Sequence, residues 1–243
     1  MPSDASSEPP TGRVVLISGG NRGIGLACAE AFRANGDRVA VTYRTDPPDG
    51  FYAVRCDVTD SAQVDAAFDQ VERELGPIDV LVANAGIGSR QLVMRATDEE
   101  ALRVFDTNVM GVLRLARRAA SSMARRRTGR IVFVSSIVAG FGAPGAAVYA
   151  ASKAALVGMA RSMARELGGR GITINVVAPG MVETDLLGMA GDDLRDWATN
   201  LCPAGRSGSP AEVAAAVCFL GSAEASYVNG VVLPVDGGLA MGI

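Results

Sequence analysis

Ser136, Tyr149 and Lys153 are the residues of this chain whose types and spacing could do chemistry. They share one stretch: a strand-like run from Ile131, the breaker Ala143-Pro144-Gly145, and an alanine-rich segment that reads as a helix. In a helix, Tyr149 and Lys153 stand at i and i+4 on one face, which brings an ammonium close to a phenol. A phenol ordinarily holds its proton to about pH 10, and a neighbouring ammonium favours the phenolate, so the pair suits acid or base work near neutrality. Such a pair is also a common helix surface contact, and composition argues against that reading. Of 23 basic residues, Lys153 is the single lysine and the other 22 are arginine. A compact ammonium on a flexible stem can reach a ribose and a phenol together, which a planar guanidinium does less well.

Composition narrows the chemistry further. The chain has no histidine, which removes Ser-His-Asp and Cys-His nucleophilic machinery and every metal site that needs imidazole; no metal is expected. Cys28, Cys56, Cys202 and Cys218 show no CxxC spacing and read as free thiols of a reducing cytoplasm. A net charge of -3 gives no support for nucleic acid or an anionic membrane as partner. Residues 1–12 lack the basic and apolar regions of a signal peptide and are expected to form a disordered tail. No apolar run reaches the roughly 18 residues that span a bilayer.

The elements that must position the three residues follow from periodicity. Short apolar strands are expected at 14–18, 38–43, 51–55, 78–83, 130–135, 173–178 and 231–235, the sixth broken by Pro179-Gly180. Helices are expected at 24–35, from a cap at Thr59 or Asp60 to 75, from a capping box at Thr97 to Glu100 onward to about 127, across Tyr149 to about 168, and after a capping box at Ser209 to Glu212. Continuous apolar strands alternating with helices predict a doubly wound α/β fold: one parallel sheet covered on both faces, a single domain over 13–243. Residues 181–206 lack clear periodicity, apart from a few helical turns at 192–198, and are expected to form a substrate lid. Met181, Leu186, Leu187, Met189 and Trp197 within it fit an acyl chain or ordinary lid packing.

The first strand ends in Ser18-Gly19-Gly20-Asn21-Arg22-Gly23-Ile24-Gly25, where backbone N–H groups and a helix dipole can receive a pyrophosphate. Its spacing resembles the TGxxxGIG turn of the short-chain dehydrogenase/reductase family, with Ser18 in place of threonine. Asn84-Ala85-Gly86, Asn108, Ser136, Tyr149, Lys153 and Pro179-Gly180 follow in that family's order, from Val14 to the C terminus. Ala83 stands where the family's NNAG motif often begins with asparagine, leaving Asn84 to stabilise the strand end. Ala151-Ser-Lys-Ala, residues 171–180 and Val235-Asp-Gly-Gly are similar to bacterial 3-oxoacyl-acyl-carrier-protein reductases.

The resemblance implies that Ser136 polarises a substrate carbonyl, Tyr149 donates the proton, Lys153 binds the nicotinamide ribose and lowers the tyrosine pKa, and Asn108 holds a water linking Lys153 to solvent. Dinucleotide contacts are implied from the residues of the glycine turn, from Asp57 and Val58, from Asn84, Ala85 and Gly86, from Tyr149 and Lys153, and from Pro179, Gly180, Val182 and Thr184. Ser135 is the neighbour that should point away, since adjacent strand residues face opposite sides. Arg44, after the second strand, and Arg22 predict NADPH, because two guanidiniums can hold a 2′-phosphate. Asp46 is the rival, near where an NAD-selecting acid would stand, and it precedes Pro47-Pro48 as though displaced.

The implied reaction is NADPH-dependent reduction of a 3-oxoacyl thioester, in fatty-acid or related polyketide synthesis, by a cytoplasmic homotetramer. Arg127 and Arg170 match docking arginines of the carrier-protein reductases, each near the end of a helix expected to flank the site. A reductase of another ketone, sugar or secondary alcohol shares most of these features. A dinucleotide-sensing protein without catalysis would have no need of Ser136, Tyr149, Lys153 and Asn108 together.

Overall fold

The computed structural model describes residues 12–184 and 200–241. The strands are β1 (Val14–Ile17), β2 (Arg38–Tyr43), β3 (Tyr52–Arg55), β4 (Ile78–Ala83), β5 (Gly129–Val134), β6 (Ile172–Pro179) and β7 (Val232–Val235). They form one sheet in the order β3-β2-β1-β4-β5-β6-β7, with every neighbouring pair parallel. The described helices are α1 (Gly23–Ala34), α2 (Ser61–Leu75), α3 (Asp98–Phe105), α4 (Gly111–Arg126), α5 (Val138–Phe141), α6 (Ala147–Leu167) and α7 (Pro210–Leu220). Among the described residues, no helix is long and apolar enough to cross a membrane.

Alternation along each strand divides the core in two. Val14 and Leu16 of β1 join a cluster with Phe68 of α2, Leu115 of α4 and Leu156 of α6. Val15 and Ile17 face the other way, onto Phe32 of α1 and Val213 and Val217 of α7. Each such large side chain, taken fully from water, contributes about 1.5–3 kcal/mol, which is why strands apolar at every position cannot sit at a solvent face.

The expected elements form within a residue or two of their predicted ends, with three differences. β6 runs through Pro179, which pairs with Val235; a proline is tolerated at a strand end, and its carbonyl accepts from Ile137 N at 3.0 Å. The expected helix from Thr97 is interrupted by a π-helical segment, Asp106–Met110. At its start Thr97 accepts from Glu100 N, but the Glu100 carboxylate turns to Arg103, so only half of the capping box closes. The box at Ser209 and Glu212 closes fully. Residues 1–11 of the expected tail, the helical turns at 192–198, and Leu186, Leu187, Met189 and Trp197 lie outside the described residues.

β1 lies between β2 and β4, so the chain leaves β1 toward one edge of the sheet and returns to build the other. The crevice at the carboxyl ends of β1 and β4 is the topological switch point, where doubly wound folds bind ligands.

Candidate active site

The glycine turn closes against β4 through Ser18. Its buried Oγ accepts from Asn84 N and Ala85 N, each at 3.0 Å, while Asn84 Nδ2 donates back to the Ser18 and Gly19 carbonyls. Ser18, expected among the dinucleotide contacts, is a clasp between two strand ends, and the hydroxyl that it shares with threonine suffices for that. Gly25 is also a packing residue. A Cβ there would stand within 2.2 Å of the Gly19 carbonyl oxygen, so the helix can approach the turn only without one. Gly19 and Gly23 take positive φ of 64° and 53°, the left-handed region that glycine enters freely.

Among the described residues no side chain caps the first turn of α1 and no acid lies within it, so its N–H groups are left to the crevice. They open on a cavity of about 400 Å³ lined by the turn from Gly19 to Ile24, by Arg44 and Asp46, and by Asp57 and Val58. Asn84, Ala85, Gly86 and Thr184 close its inner end. Asp46, the expected rival, lies three residues beyond the end of β2 and shares the cavity wall with Arg44. Asp57 accepts from Thr59 N at 2.9 Å and from Thr59 Oγ1 at 2.7 Å, and these bonds, with help from Arg44, hold its carboxyl below the usual carboxylate range.

A second cavity of about 460 Å³ shares Ile24, Asn84, Gly86, Ile87 and Thr184 with the first, so the two meet over Gly86. Ser136, Tyr149 and Lys153 line it, with Pro179, Gly180, Met181 and Val182 across from them. Tyr149 and Ser136 line the same wall, and Ser136 is close enough to favour the Tyr149 phenolate. Ser135 lines the same cavity as Ser136, but it is buried and its Oγ is engaged, donating to the Lys153 carbonyl at 2.9 Å. Lys153 Nζ lies 5.9 Å from the Tyr149 ring centroid and donates to the Val134 carbonyl at 2.8 Å.

The electrostatics differ from the simple pairwise expectation. Burial pushes the Tyr149 phenol up to about 12, offset in part by Ser136, and burial brings Lys153 down to about 8. Desolvation outweighs their mutual attraction because the ammonium is turned toward a carbonyl rather than onto the phenol oxygen. The phenol is thus held as a proton donor, and the lysine titrates near neutrality.

Asn108 is fully buried in the π-helical segment and makes three side-chain bonds: Ile87 N to Oδ1 at 2.8 Å, and Nδ2 to Ile87 O and to Ser152 Oγ at 3.0 Å each. Both amide hydrogens are spent on protein groups. One Oδ1 lone pair is left for the expected relay water. A Cβ on Gly86 would stand 3.1 Å from Asn108 Oδ1 and 3.3 Å from Lys153 Nζ, so this glycine keeps the junction of the cavities narrow.

Sequence reasoning gave no role to Ser152, Phe141, Arg90 or Leu239, though the last three line the larger cavity. Ser152 lies in the quoted Ala-Ser-Lys stretch and could have been found from it; the others carry no local signal. Arg127 and Arg170 stand near the ends of α4 and α6, as expected, at the ends remote from Ser136. Arg127 ends α4 in the left-handed region at φ 55° and donates to Gly169 O at 3.0 Å, just before β5 begins. Ser136 lies beyond the other end of β5. Six residues at about 3.3 Å each put the length of the strand, roughly 20 Å, between them. The two arginines come together at the amino-terminal edge of the sheet, away from the site.

A family model described as enoyl-(acyl carrier protein) reductase matches residues 19–240. The chain is 47% identical to the 3-oxoacyl-[acyl-carrier-protein] reductase MabA of Mycobacterium tuberculosis over 241 residues, 99% of this chain and 98% of that protein. It is 41% identical to the 3-oxoacyl-[acyl-carrier-protein] reductase FabG of Escherichia coli over 95% of this chain and 98% of that protein. A solved structure from Agrobacterium tumefaciens, provisionally named a gluconate dehydrogenase, superposes with a TM-score of 0.89 at 30% identity, covering 96% of this chain and 98% of that one. With a parallel sheet switched at β1, a glycine turn before α1 and Ser136, Tyr149 and Lys153 gathered where two cavities meet, the chain belongs to the short-chain dehydrogenase/reductase family, oxidoreductases that use nicotinamide dinucleotides.

Proposed function

We propose that the chain reduces a carrier-protein-bound 3-oxoacyl thioester to the 3-hydroxyacyl thioester with NADPH, in fatty-acid or related synthesis. The observation that carries this is the junction at Gly86: a dinucleotide-sized cavity on one side, an apolar-walled one on the other, and the chain's only lysine buried beside a phenol between them. The names of the MabA and FabG relatives supply the substrate class. The cavity fits the cofactor: uncapped N–H groups at α1 suit a pyrophosphate, and Arg22 and Arg44 on its wall suit a 2′-phosphate. When bound, NADPH supplies the hydride.

The chain's own residues do the rest. Ser136 and Tyr149 present hydroxyls to the ketone oxygen, where charge develops as hydride arrives. Tyr149 delivers the proton, which burial keeps on the phenol through the neutral range. Lys153 places a cation near the resulting phenolate, 5.9 Å from the ring centroid. Asn108 holds the Ile87 loop to α6, fixing the distance between cofactor floor and phenol. Cys28, Cys56, Cys202 and Cys218 are all unpaired, in keeping with a reducing cytoplasm.

The test is NADPH oxidation by the intact protein across short and long 3-oxoacyl thioesters, enoyl thioesters, simple ketones, sugars and quinones. The 3-oxoacyl thioesters should exceed every other class by at least about tenfold in kcat/KM, the scale that a fitted polar site achieves readily. A simple ketone or an enoyl thioester reduced as well as they are would overturn the assignment.

A further inference from the structure

Two cations and no carboxylate line the larger cavity among the described residues. One, Lys153, is buried and committed to the Val134 carbonyl beside the phenol. The other, Arg90, is exposed at the mouth, and among the described residues no hydrogen bond or ion pair engages its guanidinium. By contrast Arg103, Arg114, Arg118 and Arg126 are each paired with a carboxylate.

Arg90 is nevertheless positioned. Its neighbour Gln91 donates its backbone N–H to the Gly145 carbonyl at 2.9 Å, tying the loop to the turn that starts α6 and carries Tyr149. Its own stem lies on that turn: a Cβ at Gly145 would come within 3.3 Å of Arg90 Cγ, and Gly145 adopts a φ of 76° that disfavours any such side chain. Ala143 and Pro144 of the same turn also line the cavity. The guanidinium is therefore held at the rim by its loop and its aliphatic stem, with its donors left over.

We propose that Arg90 is a specificity-determining residue of this cavity: its guanidinium binds an oxyanion that the substrate carries away from the reacting carbonyl. An arginine fork matches the oxygens of a phosphate or a carboxylate, and among the described residues no acid of the cavity lining competes for it. The reading rests on the thioester function proposed above. Two sources offer the same chemistry, the phosphate of the pantetheine arm that holds the thioester or a carboxylate on the acyl chain.

Steady-state kinetics with NADPH can separate them, using three substrates: a 3-oxobutanoyl thioester of neutral N-acetylcysteamine, the same acyl group on 4′-phosphopantetheine, and an N-acetylcysteamine thioester whose acyl chain ends in a carboxylate. In the wild type, one anionic substrate should have a lower KM than the neutral one. Arg90→Gln should cut that preference in kcat/KM by about tenfold and Arg90→Glu further, while raised salt erodes it in the wild type. Loss of preference for the phosphate-bearing substrate assigns the arm as source; loss for the carboxylate-bearing one assigns the acyl chain. A preference unchanged in both variants, or an equal loss on the neutral thioester, overturns the role of Arg90 and leaves the thioester function standing. No turnover of any thioester by the wild type overturns both. Thermal unfolding of the variants checks that this exposed position leaves the fold intact.

Discussion

Tyr149 and Lys153 show how burial changes what a sequence motif means. The chain holds the phenol near 12 and the lysine near 8, so at neutral pH the proton needed for reduction is already in place. Lys153 ordinarily titrates near 10.5, and its depressed value means that the ammonium is present below about pH 8 and lost above it. Reductive kcat/KM, which reports groups of the free enzyme, should therefore be level below pH 8 and decline as pH rises through it. A profile flat to pH 10 would show that the lysine charge is not used. The same shift makes the unfolded chain bind more protons between about pH 8 and 10.5, so this one group makes stability rise with pH across that window. Tyr149→Phe should keep NADPH binding and lose about 10²–10⁴ in kcat, measured by single-turnover absorbance. At the far end of the cofactor cavity, Arg44→Asp should weaken NADPH by at least about tenfold more than NADH, since only NADPH carries the 2′-phosphate. Equal losses in calorimetric titration would return the deciding role to Asp46, which shares that wall.

Among the elements, the π-helical segment between α3 and α4 has the clearest purpose. An uninterrupted helix would carry Asn108 around by a different angle; the wider turn leaves it buried against Ile87 and Ser152. It thereby joins three elements: the loop after β4, the irregular turn, and α6 with its Tyr149 and Lys153. Asn108→Ala would leave the Ile87 N–H and C=O without these partners and open a small void. About 2–4 kcal/mol of stability should be lost from the unmade bonds, read by denaturant unfolding. Because the Ile87 loop floors both cavities, kcat should fall as well. Full stability with full activity would mean that the π segment is incidental.

For the whole molecule, the described surface leaves Leu102 70% exposed on α3, with Phe105 and Met110 next along the chain and also exposed. A run of large apolar side chains at the junction with α4 suits a face covered by another subunit. The homotetramer that the family resemblance implies would cover such a face. Light scattering at micromolar concentration should give about four times the 25.0 kDa chain mass, and Leu102→Glu with Phe105→Glu should lower it. A monomeric wild type would leave the patch to some other partner. At this scale, too, Arg127 and Arg170 are set apart from the chemistry by the length of β5.

Legible in the linear pattern were the alternation of the main strands and helices, the shared helix face of Tyr149 and Lys153, and the glycine turn. Each depends on local periodicity, a cap or a fixed spacing, and local geometry is what a linear pattern encodes. What tertiary structure alone decided concerns distances between segments far apart in the chain. Ser18 became a clasp because β1 and β4 lie side by side. Asp46 lies on the same cavity wall as Arg44. Arg90 came to the cavity mouth because its loop is bonded to Gly145, and Arg127 left the site because parallel strands send their two ends to opposite edges of the sheet. The direction of the two pKa shifts belongs to this second group, since burial is set by what the rest of the fold packs around a residue and not by the residue four positions away.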